Sequence, residues 1–260
     1  MSESTLSIAY HDLCATVGGY LGYGRDSSAW TTAQTSQIDE YIQAGVRQFY
    51  FPPAVEGIES GYEWSFMRPT TTLVTVSGEG EVDLPDDFSR LIGDLTFEPE
   101  VHCYPIPLVG QGLILARLQA DSTNSRPEMA ATRYKDGTGT TGQRQEIMFY
   151  PTPDDAYTLT YKYETFSGKL TAAAPYPLGG MKYAPVLESS CVAIAEQRAN
   201  GERGVYWDEF TRLLAAAVKR DRQAGAKHFG AMGENDNMIS RTPRRGWGSS
   251  YPIDYKGESW

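Results

Sequence analysis

The sequence predicts an α+β fold, in which a helical bundle built from both ends of the chain carries an inserted antiparallel β domain and an extended C-terminal arm. Apolar residues recur at helical spacing near both ends, whereas over residues 62–165 they alternate with polar residues. We therefore expect residues 1–60 and 178–225 to form the helical bundle, residues 61–177 a β barrel or sandwich, and residues 226–260 the arm.

Two N-terminal helices follow from apolar stripes and from the residues that flank them. The first stripe predicts a helix over residues 5–17, ended by Gly18-Gly19, and consists of Leu6, Ala9, Tyr10, Leu13 and Val17. Ser36 precedes an acid by three residues, which is typical of an N-terminal cap, so the second helix is expected to begin there. Its stripe consists of Ile38, Ile42, Val46 and Phe49.

The middle of the chain predicts six strands, preceded by an aromatic anchor at residues 62–68. The strands are expected at residues 71–76, 91–97, 113–119, 131–134, 146–150 and 157–163. A glycine-containing turn at residues 77–80 is expected to join the first strand to residues 81–84 as a hairpin, which Pro85 ends.

Helical spacing returns after an Ala/Pro-rich linker at residues 171–177. Pro185 suits a first helical turn, and the helix that follows is expected to end near Gly201. A longer amphipathic helix then runs to about Gly225, with a stripe of Val205, Trp207, Phe210, Leu213, Leu214, Ala217 and Val218. Since the outer helices bracket the β domain, we expect this stripe to pack on that of the second helix.

Composition excludes several classes of protein. The chain has 260 residues, 40% of them hydrophobic, and a formal net charge of −10, which is the wrong sign for a general nucleic-acid binder. Its three cysteines are distant from one another and indicate reduced thiols in a cytoplasm. No secretion signal and no apolar run of membrane-spanning length is expected.

The sequence signals for catalytic and metal-binding residues are weak. His102 and Cys103 are adjacent in an extended segment and would point to opposite faces, and the His11/Cys14 pair lacks a second ligand pair. Asp86-Asp87 and Asp154-Asp155 follow prolines, which is typical of turns. We therefore expect no catalytic residues, no metal site and no cofactor, and the chain is not expected to be an enzyme.

Several segments, taken in order, resemble the head-to-tail adaptor (head-completion) proteins of tailed bacteriophages. They are the Gly22-Tyr23-Gly24-Arg25 exit from the first helix, Trp64-Ser65-Phe66, the Thr-rich strand and glycine turn, Leu84-Pro85-Asp86-Asp87-Phe88, the Tyr-Pro-Thr-Pro-Asp-Asp-Ala-Tyr-Thr-Leu run at residues 150–159, and Glu202-Arg203-Gly204. The resemblance implies a ring, commonly of twelve subunits, beneath the portal of a filled capsid. It also implies that helical domains build the ring wall, that the β domain faces outward or toward the tail, and that a C-terminal arm reaches the portal.

The resemblance further implies a virion structural protein at the head–tail interface, assembled in the host cytoplasm. Its partners would be the portal protein, neighbouring copies of itself and tail, nozzle or fibre proteins, while DNA would pass without specific binding and no membrane would be involved. Within the arm, the residue types that dominate protein interfaces are Arg241, Arg244, Arg245, Trp247, Tyr251, Tyr255 and Trp260, and we expect them to bind the portal or a neighbouring subunit.

Two other classes remain open at this point. The Tyr-rich strands would suit a receptor-binding β module of a tail spike or fibre, although helices bracket them. A hydrolase using His and Asp is disfavoured by the spacing described above.

Overall fold

The computed structural model describes residues 4, 6–55, 61–99, 103–137 and 142–224. Its helices are α1 (Tyr10–Tyr20), α2 (Thr32–Tyr50), α3 (Gln111–Ala120), α4 (Ala184–Asn200) and α5 (Val205–Ala224). Its strands are β1 (Thr70–Val74), β2 (Glu81–Asp83), β3 (Phe88–Phe97), β4 (Met129–Tyr134), β5 (Gln145–Tyr150) and β6 (Thr158–Thr165). The predicted α+β class is confirmed.

The chain divides into two compact units. The helical unit is drawn from Met1–Pro69 and Glu164–Lys227, and the β unit contains Thr70–Tyr163. Trp64, Met67 and Leu170 are all buried in the core of the helical unit. The helical unit therefore includes residues 61–69 and 164–177, which the sequence patterns placed in the β domain.

In the helical unit, α4 is the central helix. It packs against α1, α2 and α5, and the apolar stripes of α2 and α5 belong to one core. The two stripes were expected to pack on each other, but α4 lies between their helices as the principal neighbour of both. Close approach of α2 to α4 requires Gly45, since a Cβ atom there would lie 2.6 Å from Cys191 Cα. Ser190 Oγ donates to the carbonyl of Gly45 at 2.8 Å at the same crossing.

The aromatic anchor predicted at residues 62–68 packs into this helical core. Trp64 is fully buried, and its indole N–H donates to the carbonyl of Phe49 at 2.9 Å. The rings of Phe49, Phe66 and Tyr183 surround it at centroid distances of 5.0, 5.4 and 5.3 Å. Burial of this size makes the anchor part of the packing of α2 and of the turn before α4.

The helix starts differ from the predicted ones. The N-cap of α2 is Thr31, whose Oγ1 accepts from the Gln34 N–H at 3.3 Å while Gln34 Oε1 accepts from the Thr31 N–H at 2.8 Å. The prediction of a cap at Ser36 was therefore wrong, because the Thr31/Gln34 pair forms such a reciprocal box five residues earlier. Helix α1 also begins later than predicted and continues through Gly18 and Gly19 to Tyr20.

The β unit consists of two three-stranded antiparallel sheets, with strand orders β1-β6-β3 and β2-β5-β4. The predicted hairpin between β1 and β2 is wrong, because β1 pairs with β6 and β2 pairs with β5. The strand register explains why β1 pairs with β6: this pairing places Leu73 opposite Leu159, and both side chains are buried. Thr75 is fully buried beyond the end of β1, where its Oγ1 accepts from the Tyr157 N–H at 2.8 Å.

The strand predicted at residues 113–119 is wrong, because this segment belongs to helix α3. Ile114 is fully buried and Leu118 half-buried against Ala131 of β4 and Met148 of β5, so one side of the helix covers the second sheet. Three apolar residues in a row, at 113–115, do not distinguish a strand from a buried helix segment. Leu, Ala, Arg and Gln around them favour helix. The other five predicted strands are confirmed as β1, β3, β4, β5 and β6.

No helix among the described residues has both the length and the apolarity needed to cross a lipid bilayer.

Candidate partner-binding site

The residues considered for metal or thiol chemistry are dispersed. His11 is exposed, and its Nε2 lies 3.2 Å from Asp12 Oδ1. Cys14 is half-buried on the same helix. Cys191 is buried at the crossing of α2 and α4, where burial raises the pKa of its thiol. Within the described ranges, no group of three or more His, Cys, Asp or Glu side chains could hold a metal ion, and His102 lies outside those ranges.

The two Asp-Asp pairs hold turns of the β unit. Asp86 forms an ion pair with Arg144 at 3.0 Å, and Asp87 accepts from the Tyr163 hydroxyl at 3.3 Å. Asp154 accepts from the Tyr157 hydroxyl at 2.8 Å, which ties the loop before β6 to the start of that strand. Each pair therefore contacts neighbouring turns and strands of the β unit.

A buried carboxylate, Asp221 near the C-terminal end of α5, gathers hydrogen bonds from two segments. Its Oδ2 accepts from the Tyr62 hydroxyl at 2.9 Å and from the Ser65 N–H at 3.0 Å. Its Oδ1 accepts from the Ser65 hydroxyl at 2.6 Å and from the Tyr183 hydroxyl at 2.8 Å. The side chain therefore fixes the aromatic anchor and the turn before α4 against α5.

Burial alone would raise the pKa of Asp221, but the hydrogen bonds from Ser65, Tyr183 and Tyr62 together lower it below its ordinary value. The same contact, with burial as the larger cause, raises the pKa of Tyr62 to about 12. The carboxylate is thus charged and the phenols neutral at pH 7, which is the arrangement that hydrogen bonding to a charged acceptor favours.

A second buried carboxylate, Glu196 of α4, caps the start of α5. Its Oε2 accepts from the backbone N–H groups of Gly204, Tyr206 and Trp207 at 3.2, 3.1 and 3.4 Å. These N–H groups are among those that a helix leaves unpaired at its N-terminus, and a negative charge there is favoured by the helix dipole. Glu196 consequently sets the position of Trp207 relative to α4.

Trp207 lines one side of a groove of about 420 Å³ between the C-terminal halves of α2 and α4 and the first turn of α5. We call it the three-helix groove. Its apolar lining consists of Ala44, Phe51, Pro53, Ile194 and Trp207, and its polar lining of Arg47, Gln48, Gln197 and Arg203.

The three-helix groove contains one side chain with unsatisfied buried polar atoms, Gln48, and two exposed arginines. The amide oxygen and nitrogen of Gln48 are both buried and have no hydrogen-bond partner among the described residues. The guanidinium of Arg203 lies 3.9 Å from the centre of the Trp207 ring. Neither Arg203 nor Arg47 forms an ion pair with a carboxylate in the described part of the chain. Among the described residues, an unpaired buried amide beside two arginines that form no ion pair has the character of an unoccupied binding site.

The β unit has its own buried carboxylate, Glu146 of β5, and this one is paired with cations. Arg133 of β4 lies directly opposite it and donates to its Oε1, and Lys135 Nζ lies 3.4 Å from its Oε2. Arg133 also pairs with Glu81 at 2.7 Å and Lys135 with Asp83 at 2.6 Å, so charges alternate across all three strands. The ladder ties the edge strand β2 to β5 and β4.

The seven predicted partner-binding residues of the arm lie outside the described residues. Sequence reasoning named Trp207 only in the apolar stripe of α5 and Arg203 only in a family-like segment, and it assigned neither the groove residues nor the buried carboxylates to a site. A signal for Asp221 was available, because position 221 continues the stripe formed by Phe210, Leu214 and Ala217 at helical spacing. No comparable signal marks Gln48, which adjoins the buried stripe of α2 among other polar residues.

Comparison with known proteins assigns the chain to a family. A family model described as SU10 adaptor protein matches residues 8–231, which is most of the chain and includes both units. No curated protein matches the chain. The chain belongs to the SU10 adaptor family, and it is a bacteriophage head-to-tail adaptor with a structural role in the virion.

Proposed function

We propose that this protein forms a ring, with about twelve copies, that joins the portal of the filled capsid to the tail and continues the channel through which DNA leaves the head. The observation that carries the proposal is the family match over residues 8–231. Adaptors of this kind act by assembly, and catalysis plays no part in the proposed function.

The distribution of contacts in the chain suits such a role. The helical unit is held by a continuous core and by the buried carboxylates Asp221 and Glu196, which makes it a rigid building block. Large apolar side chains remain exposed on it, among them Phe51, Phe166 and Val205, with exposed fractions of 48%, 48% and 77%. Exposed apolar groups of this size are available for contacts between subunits.

The acidic charge of the chain supports a passive channel. About twelve copies would carry a formal charge of roughly −120, and a wall of that sign would repel the phosphates of DNA. We expect the assembled ring to show no tight, salt-sensitive binding to duplex DNA at low ionic strength. Such binding, measured by fluorescence anisotropy, would contradict a passive channel.

The arm supplies the proposed contacts with partners. Arg241, Arg244, Arg245, Trp247, Tyr251, Tyr255 and Trp260 would bind the portal or a neighbouring subunit, with aromatic rings in apolar grooves and guanidiniums against carboxylates. On the tail side, the ring would receive tail, nozzle or fibre proteins.

The mass of the native assembly tests the proposal. A ring near twelve times the chain mass of 28.8 kDa, formed alone or on portal-bearing heads, would support it. Deletion of residues 226–260 should leave a folded subunit that no longer attaches to such heads. Attachment of the truncated protein with unchanged affinity would contradict the role given to the arm.

A further inference from the structure

We propose that the three-helix groove receives residues 251–255 (Tyr-Pro-Ile-Asp-Tyr) of a neighbouring copy of this chain. The inference rests on the proposed self-assembly and goes beyond it by naming both the acceptor surface and the segment that fills it.

The lining of the groove determines which chemical groups a bound segment must provide. Gln48 has one donor and one acceptor without partners, both covered in this structure, which a backbone N–H and C=O of an extended peptide would satisfy together once the side chain rotates toward the groove. Phe51, Ile194 and Trp207 offer an apolar wall, and the exposed side chains of Arg47 and Arg203 offer two positive charges that form no ion pair among the described residues. The occupant is therefore an extended peptide with an apolar or aromatic side chain next to a carboxylate.

Residues 251–255 meet these requirements. Ile253 and the two tyrosines supply apolar surface, and Asp254 supplies the carboxylate. Pro252 cannot join a helix interior and biases the residue before it toward an extended conformation. The basic stretch that contains Arg244 and Arg245 would instead be repelled by Arg47 and Arg203.

The length of the intervening chain permits the contact and favours a neighbour. Helix α5 has 20 residues, so its end lies about 30 Å from the groove at its start. Residues 225–250 could span up to ~90 Å if extended. To reach its own groove, the chain would have to run back along α5, whose exposed side beyond the first turn carries only Ala and polar or charged residues among those described. That side offers little apolar surface to hold a returning segment.

Photo-crosslinking of the full chain tests the contact directly. Benzoylphenylalanine at position 251 should crosslink to peptides containing residues 47–53 or 203–207. Mixing probe-bearing copies of normal isotopic mass with heavy copies that lack the probe separates the two origins, because a neighbour contact gives light–heavy products. Crosslinks confined to light–light pairs at every mixing ratio, or crosslinks that map to other surfaces, would overturn the proposal.

Charge exchange sharpens the test. Arg203→Glu should lower the crosslink yield about fivefold, which corresponds to losing one partly exposed ion pair. Adding Asp254→Arg to the same chain should restore most of the yield. Arg212→Glu makes the same charge change at an exposed position of α5 outside the groove and should leave the yield unchanged. Failure of Asp254→Arg to rescue would count against the pairing.

Gln48→Met separates binding from folding. It removes the amide while keeping the length of the side chain, so the subunit should keep its unfolding midpoint while the crosslink yield falls. A full yield from this variant would show that the amide has no part in binding. Assembly into rings with no crosslink to the groove would overturn this inference alone, whereas a wild-type chain that stays monomeric both in isolation and on portal-bearing heads would overturn the proposed function with it.

Discussion

The helical unit and the β unit each bury carboxylates, but they satisfy them in different ways. Asp221 and Glu196 accept from hydroxyl and backbone N–H groups, and neither forms an ion pair with a cation in the described part of the chain. Glu146 of the β unit instead lies between Arg133 and Lys135, whose side chains are partly exposed. The helical unit thus uses buried charge as an acceptor that fixes backbone segments, whereas the β unit uses it in an ion-pair ladder between strands.

The difference has an energetic consequence. Removing a carboxylate that accepts from several uncharged, partly buried donors takes from each donor its hydrogen bond to that carboxylate, and this cost depends little on salt because the donors carry no charge. Removing one member of a partly exposed ion-pair network leaves charges that water can solvate, and the remaining attraction is screened by salt. The two units should therefore respond differently to mutation, acid and ionic strength.

Loss of Asp221 should have the largest effect. Asp221→Ala removes the acceptor for Tyr62, Ser65 and Tyr183, and we expect it to lower the free energy of unfolding by about 3 kcal/mol. Urea denaturation followed by tryptophan fluorescence measures this loss selectively in a background with Trp247→Phe and Trp260→Phe, because the remaining Trp30, Trp64 and Trp207 belong to the helical unit. Glu209→Ala, at an exposed position of α5, is the control and should change stability by less than about 0.5 kcal/mol.

Acid should act through the same carboxylate. The pKa of Asp221 is lower in the folded protein than its ordinary value of 3.8, so its charged form stabilises the fold above that pH. This contribution is lost as the pH falls below about 4 through the lowered pKa. The wild-type chain should lose more stability than Asp221→Asn over that range. Parallel stability curves for the two proteins would contradict the role of the charge.

Removal of Glu196 should have the next largest effect. Glu196→Ala leaves the N–H groups of Gly204 and Tyr206 without this acceptor and leaves the Trp207 N–H only its bond to the Gly204 carbonyl, so a loss of about 2 kcal/mol is expected. Hydrogen exchange should rise at these three amides before it rises elsewhere in α5. Glu202→Ala, at an exposed position of the same turn, provides the control for charge. Unchanged exchange at the three amides would show that water replaces the carboxylate without cost.

These contrasts also explain how much of the molecule the sequence could predict. Helices α2, α4 and α5 were predicted because their apolar residues recur within a few positions of one another, and the stripe of α5 is buried as expected at Phe210, Leu214 and Ala217. Strand pairing was not predictable in this way, because the partner of Leu73 is Leu159, across most of the β unit. A local turn signal at residues 77–80 favoured a hairpin, and the long-range register overrode it.

The candidate site was predicted least well, for a related reason. The three-helix groove exists only because α2, α4 and α5 converge, and its polar residues follow no period in the sequence. Gln48 is of interest because its amide has no hydrogen-bond partner among the described residues. Whether an amide has a partner depends on the fold and cannot be seen in the sequence. Glu146 likewise becomes informative only once Arg133 is known to lie opposite it.

In the β unit, Glu146→Gln should cost less and should depend on salt. The variant keeps the size of the side chain but removes the charge that Arg133 and Lys135 share, so we expect a loss of about 1–2 kcal/mol at low ionic strength. In 1 M NaCl the difference from the wild-type chain should shrink, because the Debye length there is about 3 Å. Hydrogen exchange of the β4 and β5 amides measures the effect. Equal losses at low and high salt would place Glu146 in the same class as Asp221 and remove the distinction between the units.

The smallest effect concerns the start of α2, where two candidate caps can be compared directly. Thr31 satisfies the Gln34 N–H and receives the Gln34 side chain in return, so Thr31→Ala should cost about 1 kcal/mol. Ser36, the cap that the sequence pattern suggested, lies within the helix, and Ser36→Ala should be neutral or stabilising by a few tenths of a kcal/mol because Ala has the higher helix propensity. Tryptophan-detected urea denaturation reports both variants, since Trp30 directly precedes Thr31. If Ser36→Ala cost more than Thr31→Ala, the helix would begin five residues later than the structure places it. The acceptor in this cap, Thr31 Oγ1, is uncharged. The stability loss caused by Thr31→Ala should therefore be the same at low and high salt. In this respect it should match the loss caused by Asp221→Ala and differ from the loss caused by Glu146→Gln.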